Sequence, residues 1–149
     1  EVYGCAVTHP YETSYYNELL MAVGGAKYFE ATYWGEVYKE VVEWLEENAP
    51  SSKVFVPIAP HLPKYYAKTV RIIGNFHEAS GDRSSYFAFQ ARDGFYRDPM
   101  IDYCLDNLEP VHTIRVNGLN VAYIYNLEEY YASSVEDHHP SNATKRMSV

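Results

Sequence analysis

The clearest periodic stretch of the chain covers residues 35–48. Val37, Val41, Trp44 and Leu45 recur at i, i+4, i+7 and i+8, one apolar stripe of a helix. Glu36, Lys39, Glu40, Glu43, Glu46 and Glu47 take other positions, and Pro50 followed by two serines ends the element. Residues 54–58, Val-Phe-Val-Pro-Ile, form a short apolar run that reads as a buried strand. Pro57 sets its end or places it at a sheet edge. Residues 60–63 read as a turn, 64–68 as a helical turn or two, and 70–73 as a second strand closed by Gly74-Asn75. A polar loop is expected at 78–83. Residues 85–91 alternate as a third strand, with Tyr86, Ala88 and Gln90 on one face and Phe87, Phe89 and Ala91 on the other. Asp98 caps and Pro99 opens a short helix whose apolar face is Ile101, Leu105 and Leu108.

The chain then writes a hairpin. Residues 111–116 and 119–127 flank Asn117-Gly118, the strongest short hairpin signal. A two-residue turn pairs Val116 with Leu119, Ile114 with Val121 and His112 with Tyr123. One face would hold Ile114, Val116, Leu119, Val121 and Tyr123, the other Thr113, Arg115, Asn120 and Ala122. At the other end, an irregular aromatic region holds a short helix capped by Thr13 or Ser14 and stopped by Gly24-Gly25. Strands alternating with helices define the expected class. It is a single-domain α/β sandwich, a mixed sheet with helices packed on it and a C-terminal antiparallel β-hairpin. Residues 1–127 are expected to form the domain and 128–149 a polar, flexible tail.

Composition narrows the function. One domain is the expectation for 149 residues, enough to bury a core without staples. Twenty acidic against 12 basic residues leave a formal net charge of −8, which speaks against nucleic acid and against lying flat on an anionic membrane. No run approaches the ~20 apolar residues of a spanning helix. The chain begins at Glu1 rather than Met, as expected of a piece of a longer protein. Its 16 tyrosines stand beside 6 Phe and 2 Trp. Tyrosine joins apolar area to a polar tip, which suits both packed cores and sugar faces.

No motif here is a chemical signature. Gly24-Gly25 lacks the preceding strand and the third glycine of a dinucleotide loop. Glu136, Asp137, His138 and His139 are metal-ligand types, with His138 and His139 the weak candidates, but a solvated tail does not preorganise ligands. His9, His61, His77 and His112 are scattered, and His112 fits a packed strand position. Asp93, Asp98 and Asp102 are carboxylates of the type a glycosidase pairs, though caps and turns account for Asp93 and Asp98. Cys5 and Cys104 are too few for a disulfide framework and leave one bridge open. Asn142-Ala143-Thr144 is a glycosylation triplet of the kind that also arises by chance.

Several separated runs carry a family resemblance. His9-Pro10-Tyr11, Ser14-Tyr15-Tyr16-Asn17-Glu18-Leu19, Gly24-Gly25, Tyr33-Trp34-Gly35 and Tyr38-Lys39-Glu40 are followed by a helix ending EWLxENAP. Gly94-Phe95-Tyr96-Arg97-Asp98-Pro99, Glu109-Pro110-Val111-His112 and the hairpin with Ala122-Tyr123-Ile124-Tyr125 extend the likeness over residues 7–127. Together they resemble the soluble segment after the last membrane helices of protein-mannosyltransferase-like (family 39) glycosyltransferases of the GT-C type. The resemblance implies a non-catalytic accessory domain at the extracytoplasmic face of the cell membrane, anchored by upstream membrane helices. The parent enzyme would move sugar from a polyprenyl-phosphate carrier to an acceptor, with a divalent metal, whereas this domain would hold no cofactor and no catalytic residue. Its partners would be the membrane-embedded part of the same chain and a glycan or acceptor protein. Tyr15, Asn17, Tyr33, Trp34 and Tyr38 are the expected contact surface. A free-standing carbohydrate-binding or protein-interaction module is the alternative, and a small hydrolase a third.

Overall fold

Val37, Val41 and Leu45 bury one side of the first described helix, α1 (Tyr38–Asn48), and Tyr38 and Val42 widen that stripe. The computed structural model describes residues 35–79, 85–91, 98–116 and 118–137. Ahead of α1 the chain turns through Gly35 at φ 79°, and the Tyr38 amide donates to the Gly35 carbonyl at 3.1 Å. The helix ends where Ala49 N–H donates to the Leu45 carbonyl at 2.8 Å and Asn48 Nδ2 caps the Trp44 carbonyl at 2.8 Å. After α1 come β1 (Lys53–Phe55), α2 (His61–Lys64), β2 (Arg71–Ile73), α3 (Phe76–Ala79), β3 (Ser85–Gln90), α4 (Pro99–Asn107), β4 (His112–Val116), β5 (Leu119–Asn126) and α5 (Leu127–Asp137).

The strands form one mixed sheet in the order β2-β1-β3-β5-β4. β1 runs parallel to both β2 and β3, pairing Val54 with Ile72 and with Tyr86. β3 meets β5 antiparallel, with Phe87 opposite Tyr125 and Phe89 opposite Tyr123. The expected α/β class, with helices on a mixed sheet and a closing hairpin, is the fold observed. One face carries α1 and α2 over Val54, Val56, Ile72, Ala88, Ile114, Val121 and Ile124. The other carries α3, α4 and α5 over Phe55, Ile73, Phe87, Phe89 and Tyr125. Rings dominate that second core: Phe55 stacks on Phe87 at 5.5 Å and Phe89 on Tyr125 at 5.9 Å. Each such ring removes apolar surface worth about 1.5–3 kcal/mol from water.

Local differences from the sequence expectations have physical causes. The helical turn expected at 64–68 forms earlier, as α2, because prolines suit a first helical turn: Pro60 precedes it and Pro63 lies within it. α3 begins ahead of the expected loop at 78–83, where Asn75 Oδ1 accepts from His77 N–H at 3.0 Å. Asp98 caps α4 as expected, accepting from Met100 N–H at 2.8 Å. The buried side of α4 is Met100, Ile101 and Cys104, while Leu105 is exposed, so the expected face is rotated by one position. The domain also continues beyond residue 127, since Tyr130 and Tyr131 of α5 pack against the second core. The sequence after Leu127 reads as a tail because it turns polar, and the rings of Tyr130 and Tyr131 are what bring its first part onto the sheet. Residues 138–149 lie outside the described residues.

The hairpin departs most usefully. Val116 pairs with Leu119 and Arg115 with Asn120, but Ile114 then faces Ala122 and Thr113 faces Tyr123. Val121 is the extra residue of a β-bulge, so the expected pairs Ile114–Val121 and His112–Tyr123 do not form. The bulge puts Val121 and Ala122 on the first core and turns Tyr123 to the second. A regular alternation would have left Tyr123 with Leu119 and stripped Phe89 of its neighbour at 5.6 Å.

A single carboxylate ties α1 to the sheet edge. Glu46 Oε1 accepts from the amides of Lys68 (2.6 Å), Thr69 (2.8 Å) and Val70 (3.2 Å), and Oε2 accepts from the Thr69 hydroxyl. Desolvation opposes the charge, but the hydroxyl and three amides outweigh it and hold the Glu46 pKa at about 2. Among the described residues no helix is long and apolar enough to cross a membrane.

Two outcomes follow from this packing. Glu46→Gln should lower stability at neutral pH by roughly 1–2 kcal/mol, a figure discounted for solvent screening. In the wild type the Glu46 contribution is fully present above the ordinary carboxylate pKa of 4.5 and is lost as pH falls toward about 2. The gap between wild type and variant in urea midpoint should therefore close across that acid window; a constant gap would contradict the clamp. Cys104 is fully buried and its thiol is free, and burial with nearby Asp98 pushes it up to about 12. Alkylation read by peptide mass spectrometry should leave Cys104 unlabelled in the folded chain and label it in guanidinium.

Candidate functional site at the carboxyl ends of the parallel strands

The two crossovers lie on opposite faces: α2 brings Leu62 to the first core and α3 brings Phe76 to the second. The chain order therefore reverses between β1 and β3, and the carboxyl ends of those strands border the place where open α/β sheets form crevices. Val56 N–H extends the ladder by donating to the Ile73 carbonyl at 2.9 Å. The loop after β1 is tightly held. Ala59 takes φ 49°, its carbonyl accepts from Leu62 N–H at 2.9 Å, and Gly74 approaches so closely that a β-carbon there would lie 2.8 Å from Pro60 Cγ. Gln90 ends β3 with its Nε2 buried and without a hydrogen-bond partner.

Tyr38 is built into this edge from the helix side. It is buried, packs in the first core and donates its hydroxyl to the Ile58 carbonyl at 3.1 Å. It is therefore a core residue and not part of an exposed contact surface. The apolar spacing of α1 already included position 38, since it falls three residues before Val41. Gly35 seats against the same corner, where a β-carbon would lie 2.6 Å from Leu62 Cδ1. The other expected contact residues, Tyr15, Asn17, Tyr33 and Trp34, lie outside the described residues, as do His138, His139, His9, Asp93, Cys5 and Asn142.

The remaining candidates are dispersed. His61 and Asp102 are exposed, on α2 and α4. His112 stacks on Trp44 with ring centroids 4.8 Å apart and planes 10° from parallel, a packed histidine that fixes α1 to the edge strand β4. Among the described residues no group of three or more His, Cys, Asp or Glu side chains comes together as metal ligands do. Two features escaped the sequence pattern. The Glu46 clamp joins residues 22 to 24 positions apart, and no local period reports such a pair. The second is the exposure of Tyr65 and Tyr66, at 91% and 42%, in a stretch whose apolar content reads as packed.

Compared with protein-family models, curated proteins and solved structures, the chain matches none. The class defined by the fold is a three-layer α/β sandwich with crossovers on both faces of a mixed sheet.

Tyr38→Phe removes the donor to the Ile58 carbonyl and should cost roughly 1–2 kcal/mol in chemical denaturation. The cooperative slope should stay unchanged, because the ring still fills its place.

Proposed function

We propose that the chain is a non-catalytic extracytoplasmic accessory domain of a membrane glycosyltransferase that transfers sugar from a polyprenyl-phosphate carrier. The reading rests on the ordered likeness of its aromatic runs to the protein-mannosyltransferase-like enzymes. The observation that carries it is the anchoring of the run that leads into α1. Gly35 and Tyr38, in Tyr33-Trp34-Gly35-Glu36-Val37-Tyr38, are locked on the corner between α1 and α2 by a close approach and a part-buried hydroxyl bond. Tyr33 and Trp34 are the two residues that directly precede this anchor in sequence. Rings that abut a fixed point pay less ordering entropy on binding than rings on a free chain. Their proposed role is contact with the acceptor, its glycan or the membrane part of the same protein.

The test is made in the full-length protein. Tyr33→Ala with Trp34→Ala should reduce sugar transfer in membranes by about tenfold, the loss of roughly one well-used aromatic contact. The thermal midpoint of the 149-residue chain carrying the same changes should move little. Wild-type transfer by a folded double variant would overturn the reading, as would a full-length protein with no sugar-transfer activity.

A further inference from the structure

Charge along the chain is unevenly placed. Between Glu47 and Glu78 there is no acidic residue, whereas Lys53, Lys64, Lys68 and Arg71 fall in that interval together with His61 and His77. The rest of the chain carries the entire negative excess. Within this interval, α2 and the turn after it present Lys64, Tyr65, Tyr66 and Lys68 outward, all exposed. Tyr65 is the extreme case, 91% exposed on a backbone that is not free to collapse. Its own amide donates to the Leu62 carbonyl at 3.1 Å, that of Tyr66 donates to the Pro63 carbonyl at 3.1 Å, and the Glu46 carboxylate holds residues 68–70 from the other side. Among the described residues, Arg71 pairs with Glu78 at 3.6 Å, and no such pair joins Lys64 or Lys68 to another described residue.

We propose that the Lys64-Tyr65-Tyr66-Ala67-Lys68 loop is a docking surface for an anionic lipid bilayer. A loop whose tips stand clear of the protein has no walls to enclose a small ligand, which needs a concave site. A flat, soft surface fits it. Lysine is depleted in protein–protein contacts, whereas tyrosine rings at headgroup level flanked by lysines are the side chains of a membrane–water boundary. The lysine stems can lie along the apolar boundary while their ammonium groups reach lipid phosphates. Lys64 and Lys68, in the acid-free interval of the sequence, supply the attraction to lipid phosphates. The surface is separate from Tyr33 and Trp34 and does not rest on the glycosyltransferase reading.

Flotation of the 149-residue chain with vesicles tests it. The chain should float with vesicles of equal phosphatidylglycerol and phosphatidylcholine at low salt, be released by high salt, and stay behind with phosphatidylcholine alone. Lys64→Gln and Lys68→Gln should each weaken binding roughly fivefold. Tyr65→Ser with Tyr66→Ser should weaken it further, with circular dichroism unchanged, and Lys39→Gln on α1 should have no effect. Failure to float with the anionic vesicles, or flotation that the loop variants leave intact, would overturn the proposal. Either result would leave the transfer assay of the Tyr33 and Trp34 variants to be judged by itself.

Discussion

β3 is hydrogen-bonded on both edges and covered on both faces, and the other elements are arranged to satisfy it. A strand in that position must be apolar on both sides. Phe87 and Phe89 fill one core, and Ala88, with Tyr86 at its margin, meets the other. The two sides differ in size. The small Ala88 admits the β-branched residues of β1 and β5 beneath α1, while the phenylalanines demand a deep aromatic layer supplied by Phe55, Phe76, Tyr123 and Tyr125. Parallel pairing to β1 on one edge and antiparallel pairing to β5 on the other then make the sheet mixed.

The tyrosine excess takes its meaning from this asymmetry. Tyr125 is buried, and Tyr103, Tyr123, Tyr130 and Tyr131 form or border the second core with edge-to-face and tilted contacts between 5.5 and 6.3 Å. Burial raises the hydroxyl pKa values of Tyr125, Tyr130 and Tyr131 above the ordinary tyrosine value. Tyr38 serves the other core. Tyr65 and Tyr66 stand apart from both, and they are flanked by lysines.

Elements that follow from local chemistry were legible in the sequence. The α1 stripe, the Asp98-Pro99 helix start and the β4–β5 hairpin each rest on a few neighbouring residues, and each is present. What the sequence pattern hid is what depends on distant partners. The bulge at Val121 is decided by which core each half of β5 must meet. The rotation of α4 onto Cys104 rather than Leu105 is decided by the sheet beneath it. Glu46 reads as one more solvated acid in a helix full of them until residues 68–70 are brought to it. Of the candidate contact residues, Tyr38 was legible as core from its spacing to Val41, and only its membership of the aromatic run pointed to a surface.

The bulge also limits how this hairpin can diverge. On the turn side of Val121, β5 follows one alternation; on the far side it follows the opposite one. Removing one residue between Asn120 and Ala122 would restore a regular ladder and exchange inside for outside along one arm. A pair of changes, one on each side, would be absorbed. Insertions confined to the tip at Gly118, where a β-carbon meets open space, disturb neither arm. Length variation in this segment is therefore governed by parity: even changes within the strand and free changes at the tip preserve the fold, while a lone odd change sends Tyr123 and Tyr125 to the wrong core.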